Sequence, residues 1–391
     1  MRKTALPFYA LIFLTELVWM AIVPLAPTYA EHLSLTKVQL GTVLAAAGVA
    51  TLVVSLPIGL LADRVGTRTL TAGSSALVAL SSLGQGLAGD YWSLLVSRAA
   101  FGVALGTIWT AGLAWASEMG PRERSPSSLG VPVTVAGFGI VVGPAFAGLM
   151  AHAFGVRAPF LVLAGASAVV TVALVRGTEH ESTFHPQPLV EMLRGARRDR
   201  VVVASAAVWL LVGGLSGGVN LLVPLELRRN GLSSGATGLV FSASSVIFVL
   251  ASAFVARLGA RVVTLRAVGV AALLYAASML LAVAGSSTGM IVAFLLVRSP
   301  FWAALATLAY PLGALGAQRA GLGRGAVMGL LNLVWGAAGS LSPVAAGAIA
   351  QGASERWAFG ALLICSVGVG IWLLAGSKLT DVEPAASFDT A

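Results

Sequence analysis

Apolar stretches of roughly 20 residues recur from the N-terminus to residue 376, with the charges confined between them. Each is about long enough to cross a hydrocarbon core of roughly 30 Å as a helix. No other feature narrows the fold so far, because a bilayer core leaves the backbone only two ways to pair its polar groups, the helix and the closed barrel. The runs are continuous and lack the alternation, over about ten residues, that barrel strands carry, so a helical bundle is expected. Spans are expected near 5–29, 38–62, 69–89, 92–117, 127–152, 157–176, 201–227, 235–257, 262–284, 288–317, 325–350 and 355–376. The first is too long for the apolar core of a signal peptide and runs straight into a hairpin with the second, so it is expected to be retained. Composition agrees, since 58% hydrophobic against 10% charged residues leaves too little polar surface to cover 391 residues in water. The fold class expected is an all-α membrane protein with 12 transmembrane helices.

Lys and Arg set the orientation. With both termini on the cytoplasmic side, seventeen of the 24 basic residues fall on inner segments and five on outer ones (Lys37, Arg157, Arg228, Arg229 and Arg356), while Arg98 and Arg298 lie inside spans. That bias places the termini inside. The net charge of +9 then reflects topology and attraction to anionic inner-leaflet lipid, and no nucleic-acid partner is expected.

The chain repeats itself. Val23-Pro24-Leu25 is echoed by Val223-Pro224-Leu225, Arg64-Val65-Gly66 by Arg257-Leu258-Gly259, Leu94-Leu95-Val96 with Arg98 by Leu295-Leu296-Val297 with Arg298, and Pro144 with Gly148 by Pro343 with Gly347. Four landmarks in one order indicate a duplicated six-helix unit. The expected division is an N-terminal six-helix half over 1–176, a cytoplasmic linker over 177–200, a second half over 201–376 and a disordered tail over 377–391. Glu179, His180 and His185 fall in a flexible, charged linker and are left unassigned, and no metal is expected. Cys365 is the only cysteine, so no disulfide forms within the chain. It reads as a small buried hydrophobe.

Gly59-Leu60-Leu61-Ala62-Asp63-Arg64-Val65-Gly66-Thr67-Arg68 resembles the signature loop between helices two and three of the major facilitator superfamily, departing from it at Thr67, where a basic residue is usual. On the fourth span, Arg98, Gly102 and Gly106 are similar to that superfamily's Arg-x-x-Gln-Gly pattern, with Phe101 where Gln is common. Gly139, Gly143-Pro144 and Gly148 on the fifth resemble the antiporter motif of the 12-helix drug/proton exporters, with Ala147 a departure. Glycines spaced by four let two membrane helices approach closely. The resemblance implies two pseudo-symmetric halves that rock about a midplane cavity. It also implies a latch in which Asp63 meets the start of the eleventh helix near Arg324-Gly325, and conformational roles for Gly59, Asp63, Arg64, Gly66, Arg68, Gly102, Gly139, Gly143, Pro144 and Gly148.

Glu16 is the one carboxylate expected well inside a span, and burying it costs several kcal/mol unless it is protonated or paired. Such a group suits proton coupling, in which proton and substrate exclude each other. Arg98 is the partner expected for it, since counting along the two helices leaves their depths about 7 Å apart. The resemblance makes helices one, four, seven and ten line the cavity, which nominates Trp19, Thr107, Trp109, Thr110, Asn220, Arg298 and Trp302, a set suited to an amphipathic or aromatic substrate. Asn332 is expected to hydrogen-bond a neighbouring helix.

No His-Glu-x-x-His or phosphate-binding loop occurs, and no strand-to-helix turn is expected that could make a nucleophile elbow, so neither an enzyme nor an ATP-driven pump is expected. No cofactor is needed beyond a proton gradient. The expected function is proton-coupled export of hydrophobic or amphipathic molecules by a monomer in a bacterial inner membrane. Symport or uniport of a small metabolite is the alternative.

Overall fold

The computed structural model describes residues 5–113, 115, 130–176, 199–322 and 324–380. The expected linker lies outside the described residues except for 199 and 200, as do residues 381–391 of the expected tail. Twelve long helices follow one another: α1 (Ala5–His32), α2 (Lys37–Val65), α3 (Thr67–Leu87), α4 (Tyr91–Thr107, continued by a π turn over Ile108–Gly112), α5 (Gly130–Phe154), α6 (Ala158–Val175), α7 (Arg200–Arg229), α8 (Ser234–Arg257), α9 (Leu265–Ala284), α10 (Thr288–Arg319), α11 (Arg324–Gly352) and α12 (Glu355–Thr380). These match the twelve expected spans to within a few residues. The last helix runs four residues past 376, so the segment expected as tail from 377 is helical as far as Thr380.

Local chemistry explains where several helices begin. Thr36 and Gln39 form a reciprocal capping box before α2, Asp90 and Ser93 another before α4, and Asp199 accepts from Val201 and Val202 to start α7. Between α2 and α3 the chain turns at Gly66, whose φ of 90° lies where only glycine sits without strain.

Eleven of the helices are long and apolar enough to cross a membrane by composition alone. The twelfth, α3, carries Thr67, Thr71, Ser74, Ser75, Ser81, Ser82 and Gln85, all buried. Thr71, Ser74 and Ser81 bond carbonyls one turn back and Ser75 bonds the Thr171 hydroxyl, so much of the polar face is satisfied within the bundle, while Thr67 Oγ1 and Ser82 Oγ have no partner among the described residues. Elsewhere the apolar surface is divided between packing and lipid. Leu250, Phe254, Ile364 and Trp357 are among the large side chains left facing outward. Cys365 also faces outward on α12, which corrects the expectation that it is buried, because a lipid-facing position suits a small apolar side chain as well as a core does.

Helix α1 packs on α5, α2 on α4, α3 on α6, α7 on α10 and α11, and α9 on α12. Two further pairs, α2 with α11 and α5 with α8, join the first six helices to the last six.

Candidate transport site

Glu16 is 6% exposed, in the middle of α1. The indole Nε1 of Trp109 donates to its Oε1 at 3.1 Å. Trp109 belongs to the π turn that ends α4, a rare element often found at functional sites. From the other side comes α5, because Gly139 lets its backbone lie against Glu16 and the Phe13 carbonyl, while Gly143 admits Leu17 and Met20. The glycines singled out on the fifth helix thus seat α1 at the level of its carboxylate. Further along α5, Pro144 and Gly148 meet Ser234 and Gly238 of α8.

Arg98 does not pair with Glu16, contrary to expectation. None of the ion pairs among the described residues joins them. Instead the guanidinium reaches Gln85 Oε1 at 3.4 Å and lies 5.6 Å from the Trp19 ring centroid and 5.3 Å from that of Phe101. The reason is directional. A helical side chain tilts toward its helix N-terminus, and for α4 that end is the one beside Gln85, away from Glu16. Trp109 obeys the same rule from further down α4, so its tilt carries it back to the level of the carboxylate.

Gly102 and Gly106 on α4 turn toward α2, where Gly102 meets Ala47 and its carbonyl accepts from Thr51 Oγ1 at 2.8 Å. In the signature loop Gly66 is buried, Arg64 is exposed, and Arg68 donates to the Val175 carbonyl at 3.4 Å, closing the C-terminal end of α6. The surroundings of Gly59 and the side chains of Asp63 and Arg324 lie outside what is described, and so does the expected latch.

A narrow cavity of about 60 Å³ lies where α1, α2 and α4 face α7 and α11. Of the residues nominated from the sequence it is lined by Trp19 and Asn220, together with Arg98. Trp335, Gly336, Gly339, Ser340 and Pro343 of α11 complete the wall and were not singled out. Thr107, Trp109, Thr110, Arg298 and Trp302 are not part of this lining. Asn332 bonds the Tyr310 hydroxyl, tying α11 to α10 as expected of it.

Above the cavity the two sets of helices are fastened together at one end. Arg228 Nε and Nη2 donate to the two oxygens of Glu31 at 2.8 and 2.7 Å, and Lys37 Nζ lies 2.5 Å from Glu355 Oε1, with Arg229 3.8 Å from the other oxygen. Lys37 also donates to the Ala350 carbonyl at 3.0 Å. Gly41 and Gly48 bring α2 onto Pro343 and Ser340, and Gly347 meets the Lys37 carbonyl. The carboxylates of this cluster were not singled out from the sequence. Glu355 and the neighbouring Glu226 are only 6% and 5% exposed although both lie at helix ends, where a carboxylate ordinarily meets water. Their burial comes from the meeting of α2 with α7 and α12, which no local signal in the sequence carries.

Comparisons with known proteins agree on the class. The model of the Major Facilitator Superfamily matches residues 8–323. The Multidrug resistance protein MdtG of Salmonella arizonae is 26% identical over 265 residues, which are 64% of this chain and 65% of that protein. MdtG of an Escherichia coli strain is 25% identical over 268 residues, 64% of each chain. The aligned part therefore spans just under two thirds of these relatives. Among solved structures, a bacterial homolog of the human lysosomal transporter Spinster in an inward-facing, occupied conformation aligns with a TM-score of 0.80 at 14% identity, over 97% of this chain and 98% of that one. Its unoccupied inward-facing form gives 0.78 at 15% identity, over 98% and 99%. A transporter of the POT family in complex with 5-aminolevulinic acid gives 0.77 at 13%, over 97% and 96%. The chain belongs to the Major Facilitator Superfamily, and is a multi-pass membrane protein.

Proposed function

We propose that this chain exports amphipathic or lipophilic molecules in exchange for protons, with Glu16 as the proton carrier. The observation that carries the reading is the setting of Glu16: a buried carboxylate with a Trp109 donor and no ion pair, at the contact of α1, α4 and α5. An ionised carboxylate so placed costs several kcal/mol. A proton removes that cost, and so does a cationic or hydrogen-bonding substrate, so either occupant makes the other unnecessary. The similarity to proteins named for multidrug resistance supports the substrate class.

In this reading Trp19, Asn220 and Arg98 form part of the substrate cavity, and Arg98 acts as a positioning residue that holds Trp19 at the cavity wall through the guanidinium–ring contact. The fastened end carries Glu31, Lys37, Arg228 and Glu355, which the distribution of basic residues puts on the outer side of a bacterial cytoplasmic membrane, with both termini inside. The state described is then closed outward, and Gly139, Gly143, Pro144 and Gly148 form the surfaces on which α5 shifts against α1 and α8. The working unit is a monomer.

The test is proton release from the purified, detergent-solubilised protein on addition of lipophilic cations and neutral drugs. Release in wild type that vanishes in Glu16→Gln supports exchange. Substrate binding without release, or undiminished release in the variant, overturns it in favour of symport or uniport.

A further inference from the structure

Arg298 occupies the position in the second six helices that Arg98 holds in the first, two hundred residues on. It lies ten residues into α10 from Thr288, about 15 Å of helix rise and so near the middle of a hydrocarbon core of about 30 Å. It is 3% exposed. The guanidinium is held between the rings of Phe294 and Trp302, 5.9 and 5.2 Å from their centroids.

The likeness to Arg98 stops at the hydrogen bonds. Arg98 reaches the Gln85 side-chain oxygen through Nη1 and leaves only Nε without an acceptor, whereas Arg298 leaves both Nε and Nη1 without one among the described residues. The same is true of Trp302 Nε1, and the Tyr275 hydroxyl, fully buried on α9 within hydrogen-bonding reach of the guanidinium, has no acceptor for its own proton. Contact with aromatic faces offsets part of the cost of burying a cation but accepts none of its N–H groups in their own plane. Three of these buried atoms can only donate, and the fourth can donate as readily as accept. A guanidinium N–H pair flanked by further donors matches a ligand that only accepts, and a planar carboxylate is the group that takes such donors side by side.

The depth excludes a lipid headgroup, which stays at the interface about 15 Å away. The walls exclude a free hydrated anion, since Phe248, whose ring centroid is 4.6 Å from that of Trp302, and Phe294 would offer its remaining oxygens nothing. We propose that Arg298, Tyr275 and Trp302 form a carboxylate-binding site within the last six helices, which takes the acid group of an amphipathic molecule whose apolar body lies on Trp302 and Phe248. Trp302 is half-buried where Arg298 is not, and its ring is the side from which a ligand arrives. This rests on the reading of the chain as a carrier of amphipathic molecules and is independent of proton exchange at Glu16.

The experiment titrates the full-length protein in detergent, at fixed pH, with 4-phenylbutyrate, its amide and 4-phenylbutylamine, following affinity by calorimetry and Trp302 by fluorescence against Trp302→Phe. Wild type and Glu16→Gln are expected to bind the carboxylate roughly tenfold to a hundredfold tighter than the amide, the range of one or two charge-assisted hydrogen bonds. Arg298→Gln is expected to bind the two alike, and Tyr275→Phe to lose part of the preference. Where Arg298→Gln does not fold, Arg298→Lys replaces it and is expected to keep a reduced preference, because one ammonium cannot form the paired contact. Equal binding of acid and amide by wild type, binding of neither, or a preference that survives at full strength in the Arg298 and Tyr275 variants overturns the proposal. A preference that persists in Glu16→Gln while proton release is lost separates this site from the coupling mechanism.

Discussion

Gly139 on α5 lies against Glu16 on α1 so closely that a β-carbon at position 139 would stand 2.6 Å from the β-carbon of Glu16 and 2.9 Å from the Phe13 carbonyl oxygen. Neither neighbour is the free end of a flexible chain, so the two helices must part to admit even a methyl group. Gly139→Ala is expected to lower stability by about 1–3 kcal/mol, the usual cost of overpacking, and to abolish coupled transport. Gly137, two residues back and on nearly the opposite face of the same helix, has nothing within 4 Å of such a carbon. Gly137→Ala is expected to leave the melting temperature unchanged or raise it. Thermal unfolding in detergent compares the two.

Trp109 gives Glu16 its indole N–H. Trp109→Phe keeps an aromatic ring in the π turn and removes the donor. The melting temperature is expected to fall little, while the protons released per substrate bound fall well below those of wild type. A variant that releases protons as wild type does would show that the indole bond has no part in holding the carboxylate.

Arg98 lies by two rings and reaches one amide oxygen. Lysine keeps the charge but has neither the planar face nor the reach of a guanidinium. Arg98→Lys is expected to lose about 0.5–2 kcal/mol of stability, the range of a desolvated cation–ring contact, and to weaken substrate binding through Trp19. Calorimetric binding together with the thermal midpoint checks both effects.

At the fastened end, the exposed Glu31–Arg228 pair is worth at most about 1 kcal/mol by itself. Glu355 is the better target, since it is 6% exposed and meets both Lys37 and Arg229. Glu355→Gln is expected to shift the protein toward the state open at this end. Spin labels at the α2 and α12 termini would show a longer distance population in that variant, and Glu31→Arg combined with Arg228→Glu would restore the wild-type distribution lost in either single change.

Much of this was legible in the chain itself. The spans follow from apolar length, and capping residues such as Thr36 and Asp90 set their starts. The small-residue face of α5 is visible as glycines four apart. What those glycines touch is not, because spacing fixes a face and leaves the partner open. The Glu16–Arg98 pair failed for a physical reason: depth along two helices was counted from the backbone, while side chains lean toward their own N-termini and carry Arg98 away. The π turn over Ile108–Gly112 is not announced by its residues, Ile-Trp-Thr-Ala-Gly, yet it holds the residue that binds Glu16. Burial of Glu226 and Glu355 arises from contacts between helices far apart in the chain.

The most direct test of proton exchange at Glu16 uses purified protein in liposomes loaded with a lipophilic dye, with an imposed proton gradient of either sign. Wild type is expected to move dye against its gradient only when protons flow the opposite way, and to reverse when the proton gradient is reversed. Glu16→Gln is expected to equilibrate dye without responding to the gradient. Gradient-driven accumulation that persists in Glu16→Gln, or dye and protons moving in the same direction in wild type, would contradict the account.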